Sequence, residues 1–278
     1  MVDLHFHSRY SDGRNSVREI VGKLKDLGIG IAITDHNEIK AAVEIDSYKE
    51  ILSIPGIEVT SKEGTHMLVY FYDIGDLENF FSRHVQPFLG HKVMSSISLG
   101  LEEILTRARL FKTVIISPHP YSSAYIGICN SLFSPGYRQR LFELIDGVEA
   151  INSENLNRWN LKSALLGFNL NKAITGGSDG HALYQIGKAV TCAGCQKDRE
   201  AFLDTVRAGK AKVVGKEIDL FRKVKSNGYK LKTNLKNYPN LVEKNVKYGY
   251  TVLNSKSKVL RDNIKQSMNH KKRPAARG

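Results

Sequence analysis

The sequence predicts an α/β fold of mostly parallel strands, followed by a basic C-terminal extension. Three observations carry this reading. Short β-branched runs alternate with amphipathic helical stretches through the first 215 residues. Some of those runs, such as Thr113–Ser117, are almost wholly apolar, as strands buried on both faces are. Residues 1–215 hold 24 Lys+Arg against 24 Asp+Glu, whereas residues 216–278 hold 17 against 4 and so carry the whole net charge of +13. Composition thus divides the 278 residues into a neutral body, 1–215, and a basic extension, 216–278.

Taken in order, Val2–Phe6 reads as a strand, followed by a helix that begins near Ser16 and stops at Gly28. Ser16 suits an N-cap because its hydroxyl can accept from an early backbone N–H, and glycine suits the stop. Residues 30–34 form a second strand, and 38–49 have helical spacing. Strands follow at 51–60 and 67–72, a helix at 101–110, and the buried run Thr113–Ser117. Residues 147–151, 173–175 and 212–214 complete the strands, with helices at 157–167 and 199–208. Such alternation favours helices covering a parallel sheet, with a closed barrel as one arrangement.

The N-terminus shows no basic segment followed by an apolar one, and no apolar run approaches the ~20 residues that span a bilayer. A cytoplasmic protein without membrane contact is expected. Three cysteines are too few for a disulfide framework. Cys192 and Cys195 form a lone C-x-x-C with no second pair, and are read as two strand thiols rather than a redox or zinc motif.

The chemistry gathers at strand ends. His5 and His7 close the first strand, Asp35 and His36 the second, and Glu58 lies near the end of the third. His119 follows Thr113–Ser117, and Asp179 and His181 follow 173–175. In α/β barrels the active site is built at that mouth from several strands. His-x-His at a strand end places both imidazoles on one face, because side chains alternate with period two. Imidazole and carboxylate together suit zinc, iron or manganese without a thiolate. An acidic residue among such histidines can bridge two ions about 3.5–4 Å apart, the spacing of two-metal phosphoryl chemistry. Each motif has an ordinary reading when taken singly. Asp35 could cap a helix, Ser117-Pro118-His119-Pro120 could be a rigid loop, and the glycines before His181 could make a turn. Their joint occurrence at successive strand ends selects one shared metal site.

The set Asp3-x-His5-x-His7 with Ser11-Asp12-Gly13, then Thr34-Asp35-His36, Glu58, Ser117-Pro118-His119-Pro120 and Ser178-Asp179-Gly180-His181, resembles the PHP (polymerase and histidinol phosphatase) family. The resemblance spans residues 1 to about 215. It implies a distorted (β/α)7 barrel and a centre of two or three divalent ions (manganese, zinc or iron) that cleaves phosphoesters with metal-activated water. It further implies that His5 and His7 hold one ion with Glu58 and Asp179. Glu58 would bridge to a second ion on His119 and His66, and Asp12, His36 and His181 would hold a third. Glu58, Asp179 and His181 are the catalytic candidates, with His181 or a metal-bound water as proton donor to the leaving group. Asp35 is expected to orient a histidine. Arg9 and Arg14 are candidate phosphate-side cations, each equally readable as a surface arginine. His84 and His91 are read as ordinary surface histidines.

Among relatives, the chain resembles the small stand-alone phosphoesterases, some of which act on nucleotides or oligonucleotide ends. The stretch Ile186-Gly187-Lys188-Ala189-Val190, with Arg207-Ala208-Gly209-Lys210, fits that subgroup. Histidinol-phosphate phosphatase is the alternative enzyme, since it shares the metal motifs. The extension raises a second class of function. It interleaves Lys and Arg with Tyr229, Tyr238, Tyr248 and Tyr250, a composition suited to phosphate contact and base stacking in nucleic acid. The alternative reading is a solvated helical extension or a partner-docking segment. Residues 269–274 are expected to be disordered.

Overall fold

The computed structural model describes residues 1–90, 95–122, 126–130 and 133–216. His91 and all but the first residue of the basic extension therefore lie outside the described residues, and the expectations placed on them with it.

The chain begins with β1 (Val2–Phe6), buried along its whole length. Helix α1 (Val17–Leu27) follows, and its start is held by a capping box in which Ser16 and Glu19 satisfy each other's backbone N–H groups. Gly28 ends it at φ 63°, a left-handed cap that residues with a Cβ adopt only at a cost. Next come β2 (Gly30–Ile33), α2 (Lys40–Asp46), β3 (Gly56–Thr60) and β4 (His66–Phe71). Helix α3 (Ile74–Phe80) runs into a π-helical turn (Phe81–Val85) and a 3-10 turn (Gln86–Phe88). The remainder is α4 (Leu101–Ala108), β5 (Thr113–Ser117), α5 (Pro135–Leu144), β6 (Gly147–Asn152), α6 (Asn157–Asn169), β7 (Ala173–Gly177), β8 (Ala189–Cys192), α7 (Arg199–Arg207) and β9 (Lys212–Gly215).

These strands form two sheets, β2-β1-β8-β9 and β3-β4-β5-β6-β7. The α/β class is as expected, but among the described residues the strands form no continuous closed barrel, and they are less uniformly parallel than the alternation implied. β4 is antiparallel to both β3 and β5, and β8 is antiparallel to β1 and β9. A short connection such as the one from Thr60 to His66 can make only a hairpin, whereas a parallel pair needs a long crossover. The two sheets touch along two seams of isolated parallel bridges, Phe6 with Gly180 on one side and His36 with Glu58 and Ile31 with Ser53 on the other.

The interior is apolar. Val2, Leu4, Ala32, Leu68, Tyr70, Val114 and Ile116 from both sheets pack together with Phe202, Leu203 and Val206 of α7. Val17, Ile20, Val21 and Leu24 of α1 cover Phe6, Ile31 and Ile33. Burying a side chain of this size is worth roughly 1.5–3 kcal/mol, so these contacts fix where the strand ends lie.

Candidate metal centre

Six strands deliver the candidate residues to one end of the sheets. His5 is the fourth residue of β1, and His7 lies just past its end. His36 follows β2, His119 follows β5, and Asp179 and His181 follow β7. Glu58 lies in β3, and its register partner is Leu68. His66 is the first residue of β4, opposite Thr60. Because β4 runs back along β3, its beginning lies at the same end as the termini of the parallel strands. One close backbone approach makes room. A Cβ at Gly177 would come within 2.4 Å of the His5 Cβ, so glycine there allows the seam between β1 and β7 to close. His119 and Asp179 have φ of 30° and 50°, and Asn37, beside His36, has φ 50°. Left-handed backbone in residues with a Cβ costs energy and concentrates at functional sites.

His5, His7, Asp12, His36, Glu58, His66, His119, Asp179 and His181 all come together. Their donor atoms fall into overlapping groups, each within 4.8 Å: His5, His119 and Asp179; His5, His7 and Glu58; His7, Asp12 and His181; His36, Glu58 and His66. The membership matches the sequence reading, but the partition differs. His119 groups with His5 and Asp179, and His36 groups with Glu58 and His66.

Glu58 is the hub. Its Oε1 lies 2.9 Å from His66 Nδ1 and 3.4 Å from His119 Nε2. Its Oε2 lies 3.1 Å from His36 Nδ1, 3.3 Å from His5 Nε2 and 3.4 Å from His7 Nε2. The Nε2 atoms of His5 and His7 are 3.2 Å apart, and His7 Nε2 is also 3.2 Å from Asp179 Oδ1. Asp12 Oδ2 lies 3.0 Å from His181 Nε2. His181 Nδ1 lies 2.8 Å from the Asp179 carbonyl oxygen, so its N–H donates there and the Nε2 lone pair is left facing Asp12.

The electrostatics suit a cation. Burial pushes against ionisation of Glu58, yet the surrounding imidazoles of His36, His66 and His5 hold its carboxyl well below the usual range. Asp12 is likewise held down by His181 despite burial. Burial depresses His36 to about 3, so it is a neutral lone-pair donor at physiological pH. Burial also disfavours charge on His5, but the carboxylates of Asp179, Glu149 and Glu58 overcome it and raise its pKa well above the ordinary value. His7 Nδ1, Asp12 Oδ1, His36 Nδ1, Glu58 Oε2 and His119 Nδ1 are buried without a hydrogen bond. Lone pairs crowded together away from water are costly unless something shares them. Divalent ions fit this donor set of imidazole and carboxylate with no thiolate.

Arg14 is half-buried beside the cluster, and its backbone N–H donates to the His181 carbonyl at 3.0 Å. Arg9 is exposed, with its guanidinium 6.0 Å from the Tyr10 ring. Asp35 does not orient a histidine through any hydrogen bond found here. It accepts from the Ser8 backbone N–H at 2.8 Å, from the Ser8 hydroxyl, and from the Ser11 hydroxyl, and so pins the loop that carries His7 and Asp12. Asp3 accepts from the backbone N–H groups of Ser178 at 2.8 Å and Gly187 at 2.9 Å, and burial raises its pKa to about 6. His84 is half-buried in the π-helical turn against Phe80 and Phe111, away from the cluster.

Only one of the paired cysteines is a strand thiol: Cys192 ends β8, while Cys195 lies beyond it and packs against the interior. Neither belongs to a donor group. Replacing both with serine is expected to leave the bound metal per chain unchanged by elemental analysis, and a fall would give the pair a role in the centre.

The sequence reading missed Glu149. It is buried in β6, with its Oε1 3.0 Å from His5 Nδ1 and its Oε2 accepting from the His119 backbone N–H at 2.9 Å. Asn152 donates to Glu149 Oε2 at 2.8 Å and to Asp179 Oδ2 at 3.2 Å. A lone acid between Val148 and Ala150 in a buried strand was the available signal, since a charge is rarely buried unless paired.

Fold and site together define an α/β protein with a candidate multi-ion centre. Residues 3–115 match the family model of the PHP domain, and residues 157–211 match that of the PHP-associated segment. The chain belongs to the PHP family. No curated protein matches it. Among solved structures, it is similar to a two-domain protein from Bacteroides vulgatus containing a predicted PHP-like metal-dependent phosphoesterase (TM-score 0.56, 17% identity, covering 80% of this chain and 68% of that one). It is also similar to PsfC from Pseudomonas syringae (TM-score 0.57, 16% identity, 83% and 97%). A third likeness is to the lesion-specific endonuclease PfuEndoQ from Pyrococcus furiosus (TM-score 0.60, 16% identity, 76% and 57%), of which this chain spans little more than half. At such identities the likeness is one of fold. Among the described residues, no helix is long and apolar enough to cross a membrane.

Proposed function

We propose that this protein hydrolyses a phosphate ester of a nucleotide or oligonucleotide, using metal-activated water. The observation that carries the reading is the Glu58 carboxylate, buried and faced by the nitrogens of His5, His7, His36, His66 and His119 within 3.4 Å. A carboxylate with both oxygens so surrounded would hold divalent ions together with these imidazoles. Divalent ions bound there supply a nucleophile at neutral pH and neutralise phosphoryl oxygens.

The remaining roles belong to the chain. Asp12, Glu58 and Asp179 offset the cationic charge, and the imidazoles fix the positions of the ions. His181 has both ring nitrogens engaged, on the Asp179 carbonyl and Asp12, so it serves as a ligand and leaves the leaving-group proton to water. Arg14, half-buried beside Asp12, is the phosphate-side cation in this reading, whereas Arg9 is exposed on the same loop. Support for a nucleic-acid ester comes from the fold shared with a lesion-specific endonuclease and from the charge of the extension. The test is a panel of p-nitrophenyl phosphate esters, nucleoside bisphosphates, short oligonucleotides and histidinol phosphate, with manganese, zinc or iron supplied. Turnover confined to histidinol phosphate would replace the nucleotide reading, and no turnover of any ester would remove the phosphoesterase.

We assign the extension to oligonucleotide capture. Deleting residues 216–278 is then expected to spare hydrolysis of a small ester while weakening oligonucleotide binding. Counterion release gives a slope of about −0.7 per phosphate contact on single strands, so four contacts lose about sevenfold in affinity for each doubling of salt. Unchanged, salt-insensitive binding after deletion would instead leave a segment that docks on the body or on a partner.

A further inference from the structure

We propose that Glu149 and Asn152 are positioning residues for one ion of the centre. This inference rests on reading the cluster as a metal centre, and names the pair that builds one of its subsites.

The pair touches every member of a single donor group. His5, His119 and Asp179 form that group. Glu149 Oε1 lies 3.0 Å from His5 Nδ1, so His5 donates its Nδ1–H there and its Nε2 is turned towards the side of Asp179 Oδ1, 3.5 Å away. Glu149 Oε2 accepts the His119 backbone N–H at 2.9 Å, in a residue held at φ 30° between two prolines. Asn152 Nδ2 joins this carboxylate at 2.8 Å to Asp179 Oδ2 at 3.2 Å, leaving Asp179 Oδ1 towards the histidines. One carboxylate and one amide thus set a tautomer, a strained backbone and a carboxylate rotamer together.

The pair is itself anchored. The Asn152 side-chain oxygen accepts from the Glu154 and Asn155 backbone N–H groups at 2.9 and 3.2 Å. Its backbone exchanges hydrogen bonds with the Asn160 side chain at 3.2 and 2.9 Å, so the first turn of α6 fixes it. Glu149 and Asn152 are both about 1% exposed, where water does not compete. Neither belongs to a donor group, so their effect passes through residues that do. A histidine that ligates a metal commonly donates its other N–H to a carboxylate, and losing that partner costs 10- to 100-fold in metal affinity or activity.

Two near-isosteric variants test the pair. Glu149→Gln removes the charge and offers an amide that cannot accept from both His5 and His119. Asn152→Asp keeps the oxygen that accepts from the Glu154 and Asn155 N–H groups, but puts an acceptor against Glu149 and Asp179. Full-length proteins would be stripped with a chelator and titrated with Co²⁺, with ions per chain counted by elemental analysis and coordination followed by visible absorption. Both variants are expected to weaken one ion by about tenfold or more and leave the others near wild type. Glu149→Asp, which restores the charge, should recover part of the loss.

Folded variants that bind every ion as wild type does would overturn the proposal. So would failure of both variants to fold, which would make the pair structural. If the wild type binds no Co²⁺, the metal-centre reading falls and this proposal falls with it. If it binds Co²⁺ but turns over no ester, only the proposed reaction falls and the positioning pair stands.

Discussion

Replacing Glu58 with Gln is expected to lower kcat by about 100-fold or more while leaving the far-ultraviolet circular dichroism spectrum unchanged. The size follows from position. Both carboxylate oxygens face imidazole nitrogens, those of five histidines in all. An amide matches the shape but carries no charge, and its NH2 group presents hydrogens to nitrogens meant to share a cation. Asp179→Asn should have a smaller but still large effect, because Asp179 meets His5 and His7 with one oxygen and Asn152 with the other. Steady-state kinetics at saturating manganese, zinc or iron decides the matter. Wild-type turnover in either variant would remove that residue from the centre.

Stripping divalent ions is expected to lower the melting temperature by about 5–10 °C. A ligand at 100 times its Kd adds about 2.7 kcal/mol when it binds only the folded state, and 1 kcal/mol shifts Tm by about 2–4 °C at this size. The donors come from both sheets. His5, His7 and His36 belong to the sheet of β1 and β2, whereas Glu58, His66, His119, Asp179 and His181 belong to the other. Among the described residues the backbone joins the sheets through isolated bridges, so an ion held by donors from both sides would tie them across the seams. Without it, carboxylates and imidazoles crowd together with unpaired buried atoms. Differential scanning calorimetry before and after chelation, with each metal restored in turn, measures the effect. Identical melting in all samples would show that no ion ties the two sheets together.

Much of this architecture was legible in the sequence because its signals are local. Ser16 and Gly28 mark the ends of α1, and the apolar run Thr113–Ser117 is β5. The nine donors could be found because imidazoles and acids at strand ends stand out against apolar surroundings. Strand direction was not legible. Alternation with period two is the same in parallel and antiparallel pairs, so the hairpin from β3 to β4 was not anticipated. Helix α5 was missed because Leu141 and Phe142 are its only buried residues. β8 was read only through the strand thiol Cys192 and given no bounds, because its four residues carry too little pattern. The role of Asp35 was misplaced because its partners are serines, which carry no distinctive spacing. Glu149 was overlooked because a strand interior normally marks packing, and what it touches is fixed only by the fold.

The seam between β1 and β7 has a consequence for biosynthesis. The Asp179 backbone N–H meets the His5 carbonyl at 2.7 Å, and Phe6 bridges to Gly180, so the first strand made waits for nearly the last. A ribosome adds residues singly, from the N-terminus onward, and contacts between distant parts of a chain form slowly. Until residue 181 has emerged, the early histidines have no Asp179 or His181 to complete their clusters. A metal centre here would therefore be incomplete on the nascent chain, and its full donor set would be available only after residue 181 had emerged.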